Sequence, residues 1–295
     1  MKLYSPLYYK EFKCKAEKCS HSCCVGWEID LDSDAISRYE LLKDGGREIL
    51  DTVDFSAEPP HFRLGAGERC PHLDGRGLCR IISKHGEGYL CDICREHPRF
   101  YNYPMNRCEV GIGAACEEAA RLILKCGDYS FMCELGEGEH SPDGEISFDA
   151  VFERERIYGI LSDSSLPYGE RLSRIYTEYA ISPASLRDSE WRAVIAELEY
   201  IDEKSRTLFL SYSQSAIPEN AVYAERALAY FIYRHTGSAL TSSDFLLSLG
   251  LALFLERLFV SAVKESGSEA EALRILSEEI EYSEDNLERI KTEFL

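Results

Sequence analysis

Cysteine is the residue type that could do chemistry in this chain. All twelve cysteines lie between Cys14 and Cys133, and none follows. Cys14, Cys19, Cys23 and Cys24 crowd the first stretch, ahead of Gly26 and Trp27. Cys70, Cys79, Cys91 and Cys94 follow, then Cys108, Cys116, Cys126 and Cys133. The first stretch has too little apolar bulk to fold alone, so disulfides or a metal must hold its sulfurs. A zinc ribbon normally offers two matched C-x2-C knuckles. Only Cys91 and Cys94 have that spacing. The adjacent pair Cys23 and Cys24 is awkward for one tetrahedral zinc, because neighbouring side chains diverge. A cubane iron–sulfur cluster can collect thiolates from separated loops. Spacing alone leaves zinc and iron–sulfur open. Cys126 and Cys133 read as ordinary buried cysteines.

Other groups stand near these thiols. His21 and His72 adjoin cysteines and read as surface groups or as hydrogen-bonding supports of a site. Arg95 and Arg99 could offset the charge of thiolates or pair with Glu96 and Glu87. Trp27 could shield a metal from water or be plain core. Gly111 and Gly113 form a G-x-G, but Cys108 to Val110 is too short and polar for the strand of a dinucleotide fold. Tight packing beside a cluster is the reading we adopt for them. No Walker loop, H-E-x-x-H motif, EF-hand or Ser-His-Asp arrangement is present.

The elements that must position these residues fall into two regions. Trp27 to Leu31 alternates as a short strand, and Asp32 or Ser33 can cap a helix ended by Gly45 and Gly46. A brief strand is expected at His61 to Leu64, turns between Cys70 and Cys79, and a helix at Glu117 to Lys125. Glu134 to Ser147 is Gly-, Glu- and Ser-rich without apolar period, and reads as a boundary. Helices are expected at 148–161, 169–179, 183–200, 220–235, 243–261, 269–279 and 283–294. The run from Phe245 to Leu255 is about half a membrane span and reads as a central core helix. The fold expected is mainly α. A loop-rich, metal-binding N-terminal domain (1–134) carries a few short strands, and a C-terminal α-helical domain (147–295) follows.

The formal charge of −19 argues against nucleic acid as a partner. It suits a cationic partner or plain solubility. Residues 1–12 carry no signal-like apolar run, so a cytoplasmic protein without membrane insertion is expected. In a reducing compartment, cysteines are poor disulfide material and good metal ligands.

Phe12-Lys13-Cys14, Cys19, Cys23-Cys24 and Gly26-Trp27 resemble the opening motif of the flagellin lysine N-methylases. The same opening marks the broader CxxCxxCC group of iron- or zinc-chelating proteins. The resemblance continues at Cys70-Pro71-His72-Leu73, at Gly77 to Ile81, at Cys94-Arg95 with Pro98-Arg99, and at Ala115 to Ala119. Segments at 229–235 and 280–287 extend it over most of the chain. The resemblance implies a [4Fe–4S] cluster, with zinc as the alternative. It also implies methyl transfer from S-adenosylmethionine to lysines of flagellin. The metal ligands it implies are drawn from Cys14, Cys19, Cys23, Cys24, Cys70, Cys79 and Cys94, with Cys116 also a motif position. Cys91 and Cys108 fall outside the motif and are set aside. Radical S-adenosylmethionine chemistry is not supported, because the third position of C-x3-C-x2-C falls on Gly26. Tyr223, Glu225, Tyr230 and Tyr233 could form a lysine channel, though a Tyr-rich helix is more often core. No catalytic base and no cofactor pocket are assigned. The rival reading is a non-catalytic chelating or redox-sensing protein.

Overall fold

The computed structural model describes residues 1–105, 107–138, 148–182 and 186–294. The chain forms two compact units. One comprises Met1–Phe12 with Arg99–Leu295, and the other is Lys13–Pro98. The expected break at Glu134 to Ser147 lies largely outside the described residues. The observed division differs because of strand pairing. β1 (Lys2–Pro6) belongs to the same sheet as strands found after Arg99, so the N-terminus joins the larger unit.

The smaller unit contains short elements only. These are α1 (Ser33–Leu41), α2 (Gly46–Leu50), β2 (Val53–Asp54), β3 (His61–Phe62), α3 (Arg80–His85) and α4 (Asp92–Glu96). Asp32 caps α1 as expected, its Oδ1 accepting the Ala35 N–H at 2.7 Å. The strand expected at Trp27 to Leu31 forms no ladder. Single bonds hold that segment instead, from Leu31 N–H to Pro60 O (2.8 Å) and from Phe62 N–H to Ile29 O (3.1 Å). The core is small: Ile29, Leu31, Ala35, Tyr39, Ile49, Val53, Phe62, Ile81 and Leu90 form its apolar part, and Cys70 and Cys91 are buried among them.

The larger unit is mixed rather than purely helical. β4 (Arg99–Asn102), β5 (Arg107–Ile112) and β6 (Met132–Glu137) join β1 in a sheet of order β4-β5-β1-β6. The β5–β1 pair is parallel and the outer pairs are antiparallel. β5 reads as too polar for a strand because of Glu109. In the fold Glu109 is fully buried and accepts two hydrogen bonds from Arg154, at 2.6 and 2.8 Å, and one from Arg107. After α5 (Glu117–Lys125) come α6 (Ala150–Leu161), α7 (Tyr168–Glu178), α8 (Asp188–Glu197) and α9 (Glu203–Phe209). α10 (Ala221–Thr236), α11 (Ser242–Ser266), α12 (Glu269–Leu276) and α13 (Glu284–Lys291) complete the described α-helices. The start expected for α8, at Pro183, lies outside the described residues, and α9 is a further helix beyond the one expected at 183–200.

α11 is long and apolar enough to cross a membrane, yet 89% of its apolar window is buried inside the protein. It is the core helix that its all-round apolarity suggests. Thr241 and Asp244 close its N-terminus with reciprocal bonds of 3.1 Å. Its one buried ion pair, Glu256 with Arg257, is completed by Tyr168 Oη–H to Glu256 (2.8 Å) and by Arg257 to Ala216 O (2.9 Å).

Gly111 and Gly113 are packing residues. A Cβ on Gly111 would stand 2.3 Å from Phe100 Cζ, and one on Gly113 would stand 2.3 Å from Tyr282 Oη. Gly111→Val should therefore lower the thermal midpoint through overpacking of about 1–3 kcal/mol; an unchanged midpoint would refute the packing role. Burial by itself raises the Glu109 carboxyl, but Arg154 and Arg107 overcome it and hold it below its ordinary 4.5. Its stabilisation is complete above about pH 4.5 and is lost as pH falls through the lower folded value. Glu109→Gln should flatten that acid-side slope, and Arg154→Ala should cost about 3–5 kcal/mol in denaturant melts.

Candidate metal centre

Backbone pairing in the smaller unit draws distant cysteines together. Cys70 N–H donates to Cys24 O at 2.8 Å, Gly26 N–H to Glu68 O at 3.0 Å, and Val25 bridges Arg69. These bonds lay the Cys24 loop along the strand-like run that ends at Cys70. Asp74 then turns the chain back, its Oδ1 accepting the N–H groups of Arg76 (2.8 Å) and Leu78 (2.9 Å). Leu73 thereby bridges Cys79, which opens α3. Cys91 opens α4 and Cys94 lies within it. The α4 end is tied to α1 by three bonds. Asp92 N–H donates to Asp32 Oδ2 (2.8 Å), Arg38 to Leu90 O (2.9 Å) and Tyr39 Oη–H to Tyr89 O (2.8 Å).

Five thiols result, from Cys24, Cys70, Cys79, Cys91 and Cys94, which share one small core and lie within electrostatic reach of one another. Burial pushes Cys70 up to about 11 and raises Cys79 as well. Neighbouring sulfurs add to both shifts, since like charges disfavour ionisation. Against this, the His72 N–H faces Cys70, and the Ile81 and Ile82 N–H groups face Cys79. The Cys94 thiol donates to Cys91, which lowers Cys91 and raises Cys94. A hydrogen bond from Cys23 lowers Cys24 to about 7.

Soft sulfur donors, burial and inward-facing N–H groups are what a thiolate-bound metal requires. In kind, these residues fit such a group. In arrangement they are gathered rather than closed. Among the described residues, no group of three or more His, Cys, Asp or Glu side chains is arranged to hold a metal ion. The protons shared between Cys23 and Cys24, and between Cys94 and Cys91, are those that ligation must displace.

Of the expected ligands, the fold brings together Cys24, Cys70, Cys79 and Cys94. Cys23 is exposed and hydrogen-bonded to Cys24. Cys14 is exposed, its sulfur accepting the Ala16 N–H at 3.4 Å, and Cys19 is half-buried. Cys91, set aside on sequence grounds, is 1% exposed and sits inside the set. Its C-x2-C spacing was the signal that could have kept it. Cys116 and Cys108 belong to the larger unit, as do the buried Cys126 and Cys133.

His72 braces this core. The Thr52 hydroxyl donates its one proton to Ile49 O (2.7 Å). It must therefore accept from His72 Nε2, 3.0 Å away. Burial, then Arg80, depress His72 to about 4, so the ring is neutral. Arg95 pairs with Asp92 and Glu96, whereas Arg99 donates to Tyr9 Oη at 3.1 Å in the larger unit. Of the tyrosines considered for a lysine channel, Tyr230 and Tyr233 are core residues and Tyr223 is half-buried against the core. Tyr233 Oη–H donates to Val110 O (3.1 Å), and Tyr230 joins Glu281 (3.0 Å) and the Ala114 N–H (3.0 Å). Glu225 is occupied by Tyr129 (2.7 Å) and Arg171 (2.6 Å).

The chain is similar to a flagellar biosynthetic protein, FliU, of Salmonella muenchen. The two are 28% identical over 162 residues, covering 52% of this chain and 94% of that protein. It is also similar to the lysine-N-methylases of Salmonella choleraesuis (strain SC-B67) and Salmonella typhimurium. Those matches are 28% identical over 136 residues, covering 44% of this chain. The chain is a distant homologue of the FliU and lysine-N-methylase family. It spans 34% of the length of each lysine-N-methylase. No family model matches it, and no solved structure matches it.

Burial orders the thiols by access. In metal-free protein, iodoacetamide should modify Cys14 and Cys23 first and reach Cys70 and Cys91 only on unfolding. Equal rates at all four, read by peptide mass spectrometry, would contradict the described core.

Proposed function

We propose that this chain is a protein-lysine N-methyltransferase that takes its methyl group from S-adenosylmethionine and acts on flagellin. We place a [4Fe–4S] cluster in the 13–98 unit. The similarity to the lysine-N-methylases carries the activity. The gathering of five thiols in one small core supports the metal. Four of Cys24, Cys70, Cys79, Cys91 and Cys94 would hold the cluster, since one cubane needs four thiolates. Its contribution when bound is ligation of loops that lack a large core of their own; methyl transfer from a sulfonium requires no electron.

The protein's own residues have three tasks in this reading. They must bind a cationic segment, which the net charge of −19 favours. They must exclude water around the amine. They must also admit it as the free base, because a lysine with its reference pKa of ~10.4 carries a proton at neutral pH. We assign the protein to the cytoplasm, where thiols stay reduced.

Zinc is the second reading, favoured by one observation. The C-x2-C knuckle of buried Cys91 and half-buried Cys94 belongs to the gathered set. Visible absorption of anaerobically purified protein separates the two, since zinc is colourless. Incubation with flagellin and labelled S-adenosylmethionine tests the activity. Label should appear on lysine; its absence, with metal bound and flagellin intact, would favour a chelating or sensing protein without catalysis. Cys79→Ala and Cys91→Ala should lose metal and destabilise the smaller unit, while Cys126→Ala should keep full metal content. Equal metal in all three would overturn the ligand set.

A further inference from the structure

A cavity of about 290 Å³ opens in the smaller unit between α2 and α3. Its walls carry Glu48, Thr52, His72, Arg80, Lys84 and His85. Arg80 and Lys84 bring positive charge to these walls, with two histidines beside them. Two of these groups converge on one corner. A Cβ at Gly45 would stand 3.0 Å from His85 Nε2 and 3.9 Å from Lys84 Nζ, so the bare glycine leaves both nitrogens room beside the backbone. Arg80 holds its place at the rim by donating to Pro71 O. Opposite charge is supplied by Glu48, which meets Lys84 at 3.4 Å in an ion pair exposed on both sides. Such a pair is weak and exchanges readily. A ligand with both charges can replace each partner without leaving either group bare. A dianion such as phosphate would instead meet the Glu48 carboxylate. The floor, Thr52 and neutral His72, is already fixed by its own hydrogen bonds.

We propose that this cavity binds the amino-carboxylate end of a small zwitterion, with the carboxylate on Lys84 and His85 and the ammonium on Glu48. The proposal of methyl transfer identifies that zwitterion as the methionine end of the methyl donor; this identification alone rests on that reading. The cavity's size suits one end of such a ligand, the remainder extending past the open ion pair.

Calorimetric titration of the full chain tests this, with thermal melts confirming that each variant folds. The probes are S-adenosylmethionine, its decarboxylated form and L-methionine. Lys84→Ala should bind S-adenosylmethionine about tenfold more weakly, and the decarboxylated form should bind wild type and Lys84→Ala alike. Glu48→Gln should weaken L-methionine by a similar factor. Equal affinity of wild type and Lys84→Ala for S-adenosylmethionine would overturn the cavity assignment and leave methyl transfer standing. Lys84-dependent binding of L-methionine with no binding of S-adenosylmethionine would uphold the cavity and overturn methyl transfer. Binding of neither would overturn the cavity assignment.

Discussion

Like-charge repulsion among buried sulfurs is the constraint on which the smaller unit depends. Five thiols share one small core with Ile29, Leu31, Tyr39, Ile49, Val53, Phe62, Ile81 and Leu90. Each ionised sulfur makes its neighbours harder to ionise, and burial adds to that cost. Backbone N–H groups directed at Cys70, Cys79 and Cys91 oppose both effects. Without a cation, the compromise is protons shared between neighbouring sulfurs. With a bound metal, the same N–H groups and the same burial would favour ligation. Protonation and folding of this unit are thus two aspects of one balance.

The framework that imposes this proximity is made of short bonds rather than long elements. Asp32 is its clearest case. One carboxylate oxygen caps α1 and the other accepts the N–H at the start of α4. A single side chain thereby sets the distance between two helices of nine and five residues. Asp74 does similar work in returning the chain to Cys79. Substitution of such residues would move sulfurs without touching any of them.

The larger unit is stabilised by other means. α11 is buried along most of its length, and Tyr168 of α7, Trp191 of α8 and Phe294, just beyond α13, pack on it. Buried carboxylates of this unit are paired in place: Glu109 with two arginines, Glu256 with Arg257 and Glu281 with Arg234, while the His235 ring, whose pKa burial lowers, hydrogen-bonds Glu281. Buried pairs of this kind contribute little net stability but are costly to break singly. The Glu109–Arg154 pair ties β5 to α6.

Local pattern made several features legible. The helix at Glu117 to Lys125, the Asp32 cap and the buried character of α11 each follow from signals spanning a few residues. The clustering of cysteines before residue 134 likewise pointed to a sulfur-rich core. Other features needed partners distant in sequence. β5 looks too polar for a strand until Arg154, 45 residues away, neutralises Glu109. β1 has no visible partner until β5 and β6 flank it. Cys91 lies outside the motif that the cysteine spacing resembles, yet the tie from α4 to α1 carries it into the sulfur set. Residue type and short-range spacing determined the helices, their caps and the supply of soft donors, because those depend on contacts within a turn or two. Which sulfurs meet, and which charges are buried together, was decided by tertiary structure alone, because both depend on hydrogen bonds and ion pairs between segments that no local period connects.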